Sequence, residues 1–222
     1  MKRLFQLINR NIEGTTLHAQ SHSKNSKFSI ITISRELGSG GKPIAYLLAK
    51  KLGSPWQVFH KDIVEEIAHE TALENEVVER FDEHHTSAVN SLIQSIFGKQ
   101  ILTMNAYFKH LLHVLASIGT RGNAIIIGRG ANFLFPNALK VRIISSMEDR
   151  IQSMVKYEHI TAKEAKKQIE KSDEDRDTYI RELFQHDARK AHHYDVVIRT
   201  GKEIDVEAAV DAILSLTKKR AT

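Results

Sequence analysis

The sequence predicts an α/β protein built on a parallel sheet with helices on both faces. Three observations predict it. Short β-branched apolar runs alternate with longer stretches of helical period, the pattern of successive βαβ units. Those runs are close to continuously apolar rather than alternating, as strands buried on both faces must be. Glycine clusters at 38–41 and 128–130 directly follow two of the runs, at the carboxyl ends of strands where such sheets bind ligands.

Taken in order, Phe28-Ser29-Ile30-Ile31-Thr32-Ile33 is the first buried strand. After the glycine turn, a helix is expected over Ile44 to Leu52, with Ile44, Leu47, Leu48 and Leu52 on one face and Gly53 as its stop. Pro43 suits the first helical turn, where its missing N–H has no intrahelical acceptor to lose. Trp56 to Phe59 is a short second strand, followed by a helix from Lys61 to Glu70 that turns Ile63, Val64, Ile67 and Ala68 inward. Residues 74–118 read as helical with no strand pattern, so the block 70–120 is expected to be a helical insert over the carboxyl edge of the sheet. Within it Phe97, Tyr107, Phe108, Leu111, Leu112 and Leu115 are core or a subunit contact, which leaves a homo-oligomer open. Ala124 to Ile127 is the third strand and Lys140 to Ile144 the fourth, with a helix from Met147 to Tyr157 after it. Thr161 and Glu164 form a capping box opening a further helical stretch to about residue 191, with a break expected near Ser172. Asp195 to Ile198 is the last strand and Asp205 to Thr217 the closing helix.

The 222 residues suffice for one domain and a core of useful size. We expect a flexible polar leader over 1–27, the folded domain over 28–217 with a lid region at 158–192, and a basic tail at 218–222. There is no cysteine, which excludes disulfides and thiolate metal sites. Nothing reads as a signal peptide or a membrane span, so the expected location is the cytoplasm with no membrane partner. The net charge of +5 sits at the ends: residues 1–27 hold a net +4 and 218–220 a further +3, leaving the body at −2. A basic footprint on the folded body is therefore absent, and no nucleic-acid partner is expected. Adjacent histidines at His84-His85 and His192-His193 point to different helix faces, His110 with His113 would need a third ligand from elsewhere, and no carboxylate completes a tight cluster, so no metal site is assigned to them.

The first glycine turn carries the chemistry. Gly38, Ser39, Gly40, Gly41, Lys42 and Pro43 lead from a strand straight into a helix. Glycines let backbone N–H groups turn toward an anion, and the helix start adds its own N–H groups and dipole. Lys42 supplies a point charge for terminal phosphates. The match to G-x-x-x-x-G-K-[ST] is partial: Gly41-Lys42 fit, Glu36 stands at the first glycine position, and Pro43 replaces the hydroxyl residue that would touch magnesium. Magnesium is then expected on nucleotide phosphates, water and side chains such as Ser39. The plain alternative is a strand-to-helix turn without a ligand.

Ile33-Ser34-Arg35-Glu36-Leu37-Gly38-Ser39-Gly40-Gly41 resembles the opening of the cytidylate kinase-like proteins, a branch of the nucleoside monophosphate kinases. Phe59-His60-Lys61-Asp62, Ile127-Gly128-Arg129-Gly130, and Asp175-Arg176 with Tyr179-Ile180-Arg181 resemble, in order, that family's segment after the second strand, its Gly-Arg turn and its lid helix. The resemblance covers about 28–217. It implies a five-stranded parallel sheet of P-loop kinase type, a helical insert for the monophosphate, a lid, and phosphoryl transfer from ATP with Mg2+ to a nucleotide acceptor, CMP or dCMP by preference. His60 departs from the acidic residue usual there.

Under this reading Lys42, Arg176 and Arg181 are catalytic, and Arg35, Asp62 and Arg129 hold the acceptor. Each has a plainer alternative. Arg176 could pair with Asp173 three residues earlier, Arg129 and Arg35 with loop acids, and Asp62 could serve as a helix N-terminal acid. A kinase of another small metabolite, or a nucleotide-binding regulator without turnover, stand as alternatives, the latter prompted by Pro43 and His60.

Overall fold

The computed structural model describes residues 29–62, 93–97 and 106–221. Five strands form one all-parallel sheet: β1 (Ile30–Arg35), β2 (Gln57–Phe59), β3 (Ala124–Ile127), β4 (Leu139–Ser145) and β5 (Val196–Thr200), in spatial order β2-β3-β1-β4-β5. Helix α1 (Gly41–Leu52) links β1 to β2, and α2 (Ala106–Arg121) precedes β3. The short α3 (Ala131–Leu134) joins β3 to β4; α4 (Met147–Glu158) and α5 (Ala162–Phe184) lie between β4 and β5, and α6 (Val206–Ala221) closes the chain. The expectation for strands, their parallel sense and the α/β class holds.

Parallel pairing explains the continuous apolar runs, because successive side chains point to opposite faces and both faces are covered. Ile31, Ile33, Ile125, Ile127, Val141 and Ile143 face α1 and α6, packing on Ile44, Leu48, Val210 and Ile213. Ala124 and Ile126 point the other way, onto Leu111, Leu112, Leu115 and Leu134 of α2 and α3, together with Phe97, Phe108 and Phe184. Each such fully buried aliphatic or aromatic side chain contributes about 1.5–3 kcal/mol. Phe97, Phe108, Leu111, Leu112 and Leu115 are thus core; the side chain of Tyr107 lies outside the described residues.

Ser172 does not break the helix after the capping box. Thr161 Oγ1 accepts from Glu164 N, and Glu164 Oε2 accepts from Thr161 N; α5 then runs unbroken for 23 residues. Serine lowers helix propensity only by tenths of a kcal/mol, and the apolar stripe Ala165, Ile169, Ile180, Phe184 stays buried across it. At the other end, α6 continues through the basic residues 218–220. The leader at 1–27, the helix expected from Lys61 to Glu70 beyond its first two residues, and most of the 70–120 insert lie outside the described residues; within that insert, 93–97 and 106 onward are helical.

The register brings the carboxyl ends of β1, β3 and β4 side by side, with Ile33 opposite both Ile127 and Val141. The chain leaves β1 toward the β2 edge and β4 toward the β5 edge, which opens a crevice at those ends.

Candidate active site

Two compartments meet at that crevice. The first is the glycine loop. Gly38 and Gly40 have φ of +82° and +79°, a region that L side chains rarely adopt, and Gly40 is the N-cap of α1. The amides of the first helical turn are therefore offered outward at the positive end of the helix dipole, apart from Pro43, which has none. Lys42 is exposed beside them. Ser39 is buried, its hydroxyl donating to the carbonyls of Glu36 (2.9 Å) and Ile143 (3.3 Å), while Thr200 Oγ1 donates to the Ser39 carbonyl (2.8 Å). The side chain of Ser39 thus ties the loop to β4 and its carbonyl ties it to β5, so Ser39 serves to hold the loop in place rather than to face an anion.

The second compartment is a cavity of about 610 Å³ bounded by the ends of β1 and β3, by α3, by α5 and by the segment before β5. Arg35, Arg129 and Arg176 converge on it. Arg35 runs across the strand ends in a channel that two glycines leave open: a β-carbon at Gly41 would lie 2.6 Å from Arg35 Cβ, and one at Gly128 2.5 Å from its Nη1. Arg176 Nη1 donates to the Arg35 carbonyl at 3.0 Å. Burial first, then the charges of Arg176 and Arg129, lower the Arg35 pKa to about 10, with Asp62 opposing them. Arg176 is likewise lowered, chiefly by burial. Three like charges gathered in a half-buried crevice are unfavourable alone and favourable around an anion. The Arg129 guanidinium also lies over the Tyr179 ring, 5.2 Å from its centroid.

Of the four carboxylates that line the cavity, Glu36, Asp173, Asp175 and Asp177, three are held by other groups. Glu36 accepts from Ser145 N (3.1 Å) and sits 3.6 Å from both Arg142 and Arg150. Asp173 receives a two-pronged hydrogen bond from Arg150 Nη2 at 2.7 and 2.9 Å, so its partner is Arg150 rather than Arg176. Asp177 pairs with Arg189. Among the described residues no carboxylate forms an ion pair with Arg35 or Arg176. Asp62 is exposed and 3.3 Å from His60 Nδ1, near enough to bias Arg35.

Arg181 is not part of this arrangement. It is exposed in the last turn of α5 and does not line the cavity, because five residues of helix rotate it about 140° from Arg176. Arg189, from the loop after α5, lines the wall instead. Arg142, Arg150, Arg189 and Asn132 are not singled out by sequence, and Glu36 stands out there only as the residue in place of the loop's first glycine. Only Arg142 carried a signal, a cation inside an apolar strand run, where it is 9% exposed. Its guanidinium reaches Ser34 Oγ and the Tyr194 hydroxyl and stacks near the Tyr194 ring.

A family profile for the cytidylate kinase-like family matches residues 30–202. The chain belongs to the cytidylate kinase-like family. Among solved structures, this family member is similar to an uncharacterized protein from Eubacterium ventriosum, at 21% identity over 86% of this chain and 98% of that one, with a TM-score of 0.68. It also aligns with TT1252 from Thermus thermophilus (16% identity, 85% and 97% covered, TM-score 0.48) and with shikimate kinase from Bacteroides thetaiotaomicron (13%, 86% and 98%, 0.46). The first of these is a likeness of fold. No curated protein matches the chain significantly. Family membership supports a kinase-type phosphotransferase with a nucleotide donor. Among the described residues no helix is long and apolar enough to cross a membrane, and no three His, Asp or Glu side chains gather as a metal-ion set. His113 Nδ1 contacts its own helix at the Lys109 carbonyl, and the His192 and His193 rings meet at a tilt of 58° with centroids 4.3 Å apart.

Proposed function

We propose that the chain transfers the terminal phosphoryl group of ATP to a nucleoside monophosphate, with CMP or dCMP the preferred acceptors. The observation that carries this reading is the gathering of Arg35, Arg129 and Arg176 in one cavity directly beside the glycine loop. An anion-binding helix start and a separate cationic cavity, meeting at Arg35, suit a reaction that brings two phosphates together. The loop amides, the start of α1 and Lys42 would hold the donor phosphates; the open φ region at Gly38 and Gly40 is what lets backbone approach them. Arg35 and Arg129 would grip the acceptor phosphate, and Arg176 would neutralise charge on the group in transit. Asp62 would orient the acceptor from the rim. Mg2+, when bound with ATP, supplies further charge neutralisation. Ser39's hydroxyl is engaged with loop carbonyls, so the ion would rest on phosphate oxygens and water.

The test is ADP release from ATP in the presence of CMP, dCMP, UMP, AMP or GMP. Turnover is expected with at least one, strongest with a cytidine nucleotide. ADP release only with a non-nucleotide metabolite would make the chain a kinase of another acceptor, and tight ATP binding with no transfer to any acceptor would make it a regulator.

A further inference from the structure

Asn132 is 5% exposed, lies on α3 immediately after the Gly128-Arg129-Gly130 turn, and lines the cavity. Among the described residues its amide nitrogen has no hydrogen-bond partner. A buried amide donor without a partner is unfavourable, and Asn has no packing advantage over Leu in such a place. Four carboxylates line the cavity, three of them already held by other groups, against six cations: Arg35, Lys61, Arg129, Arg142, Arg176 and Arg189. Those suit an anionic group. A neutral amide differs from them in kind, because it donates from one end and accepts at the other, and a half-turn of its terminal torsion exchanges the two. A phosphate dianion matches only the donating half. A neutral group with a donor and an acceptor side by side, such as a nucleobase edge or a pair of hydroxyls, matches both.

We infer that Asn132 is a specificity-determining residue that reads the uncharged, hydrogen-bonding part of the acceptor while the arginines hold its anionic part. This rests on the proposed acceptor site, and it assigns that site a second, neutral recognition element. In the ligand-free protein the amide is then a local weakness retained for binding.

The experiment measures equilibrium binding of three probes to the full chain and to Asn132→Leu and Asn132→Asp: inorganic phosphate, ribose 5-phosphate and CMP. Ligand-free melting is followed in parallel. Phosphate binding is expected to stay within about twofold while CMP binding weakens about tenfold in Asn132→Leu. If ribose 5-phosphate weakens equally, the hydroxyl pair is the group read; if only CMP weakens, it is the base edge. Melting of Asn132→Leu is expected to match or exceed the wild type. The inference is overturned if all three probes bind both variants as they bind the wild type, if phosphate binding falls as far as CMP binding, or if the wild type binds neither CMP nor ribose 5-phosphate. It is also overturned if both variants melt several degrees lower, which would make Asn132 a structural residue. Failure of the kinase reading registers separately, as absence of ADP release by the wild type with every monophosphate.

Discussion

Arg150→Met isolates the brace behind the glycine loop. Arg150 is 4% exposed; its Nε donates to the Leu37 carbonyl at 2.7 Å, its Nη2 to both oxygens of Asp173, and Glu36 lies 3.6 Å from its Nη1. The backbone of Arg150 also packs against Gly38 so closely that a β-carbon there would be 2.8 Å from the Arg150 carbonyl. Methionine keeps the stem and removes the charge. It leaves one carbonyl and two carboxylates facing one another, with side chains 23% and 32% exposed for Glu36 and Asp173. Breaking a buried pair from one side costs about 3–5 kcal/mol, and the partial exposure of Asp173 places this case near about 3 kcal/mol. For a chain of this size that is a fall of about 6–12 °C in melting temperature. Asp173→Asn should lose less, and the double variant should lose less than the sum, with a coupling of about 1.5–3 kcal/mol. Circular-dichroism melts of the four proteins measure it. Losses that add within about 0.5 kcal/mol, or an Arg150→Met melt within about 2 °C of the wild type, would refute the reasoning.

Lys42→Ala should lower turnover at least about 100-fold while moving stability by less than about 0.5 kcal/mol, because Lys42 is exposed; steady-state ADP release and a urea titration check both, and unchanged turnover contradicts its place at the donor phosphates. Gly130→Ala should destabilise by about 2–4 kcal/mol, since Gly130 has φ +71° and a β-carbon there would lie 2.1 Å from Phe184 Cε2; a loss under about 1 kcal/mol in urea unfolding would count against this packing. His193 has its pKa lowered below 6.5, first by burial and then by His192, His186 and Lys190. The unfolded chain therefore takes up the proton more readily, so stability is present above pH 6.5 and is lost as pH falls through the folded value. His193→Phe, which preserves an aromatic edge on Phe133, should flatten the drop in melting temperature between about pH 7 and about pH 5; an unchanged slope would show that other groups set it.

The sheet was readable because its signals are local. Each β-branched run became a strand within two or three residues of its expected bounds, and the Thr161–Glu164 box opened α5 where the pair predicts. Arg35, Arg129 and Arg176 were readable because each follows a strand end or lies on a helical stripe, and all three reach one cavity. What escaped notice depends on distance through space. Glu36 looks like a lost glycine until Ser145, Arg142 and Arg150 are seen to surround it, across 106 residues or more of chain. Asp173 has a cation three residues along its own helix and bonds to one on α4 instead. Arg181 shares a motif with Arg176 but the helical period turns it away. Asn132 has nothing in its neighbours to mark it, since its character comes from a partner it lacks.

The channel occupied by Arg35 makes three positions a single unit of inheritance. Gly41 follows it by six residues and Gly128 by 93, yet a methyl group at either would collide with its stem or its head. A transplant of 34–42 into a relative with alanine opposite Gly128 should therefore give insoluble protein, and restoring that one glycine should recover it. Expression of the two chimaeras side by side tells whether this cation and the empty space that houses it can be exchanged separately.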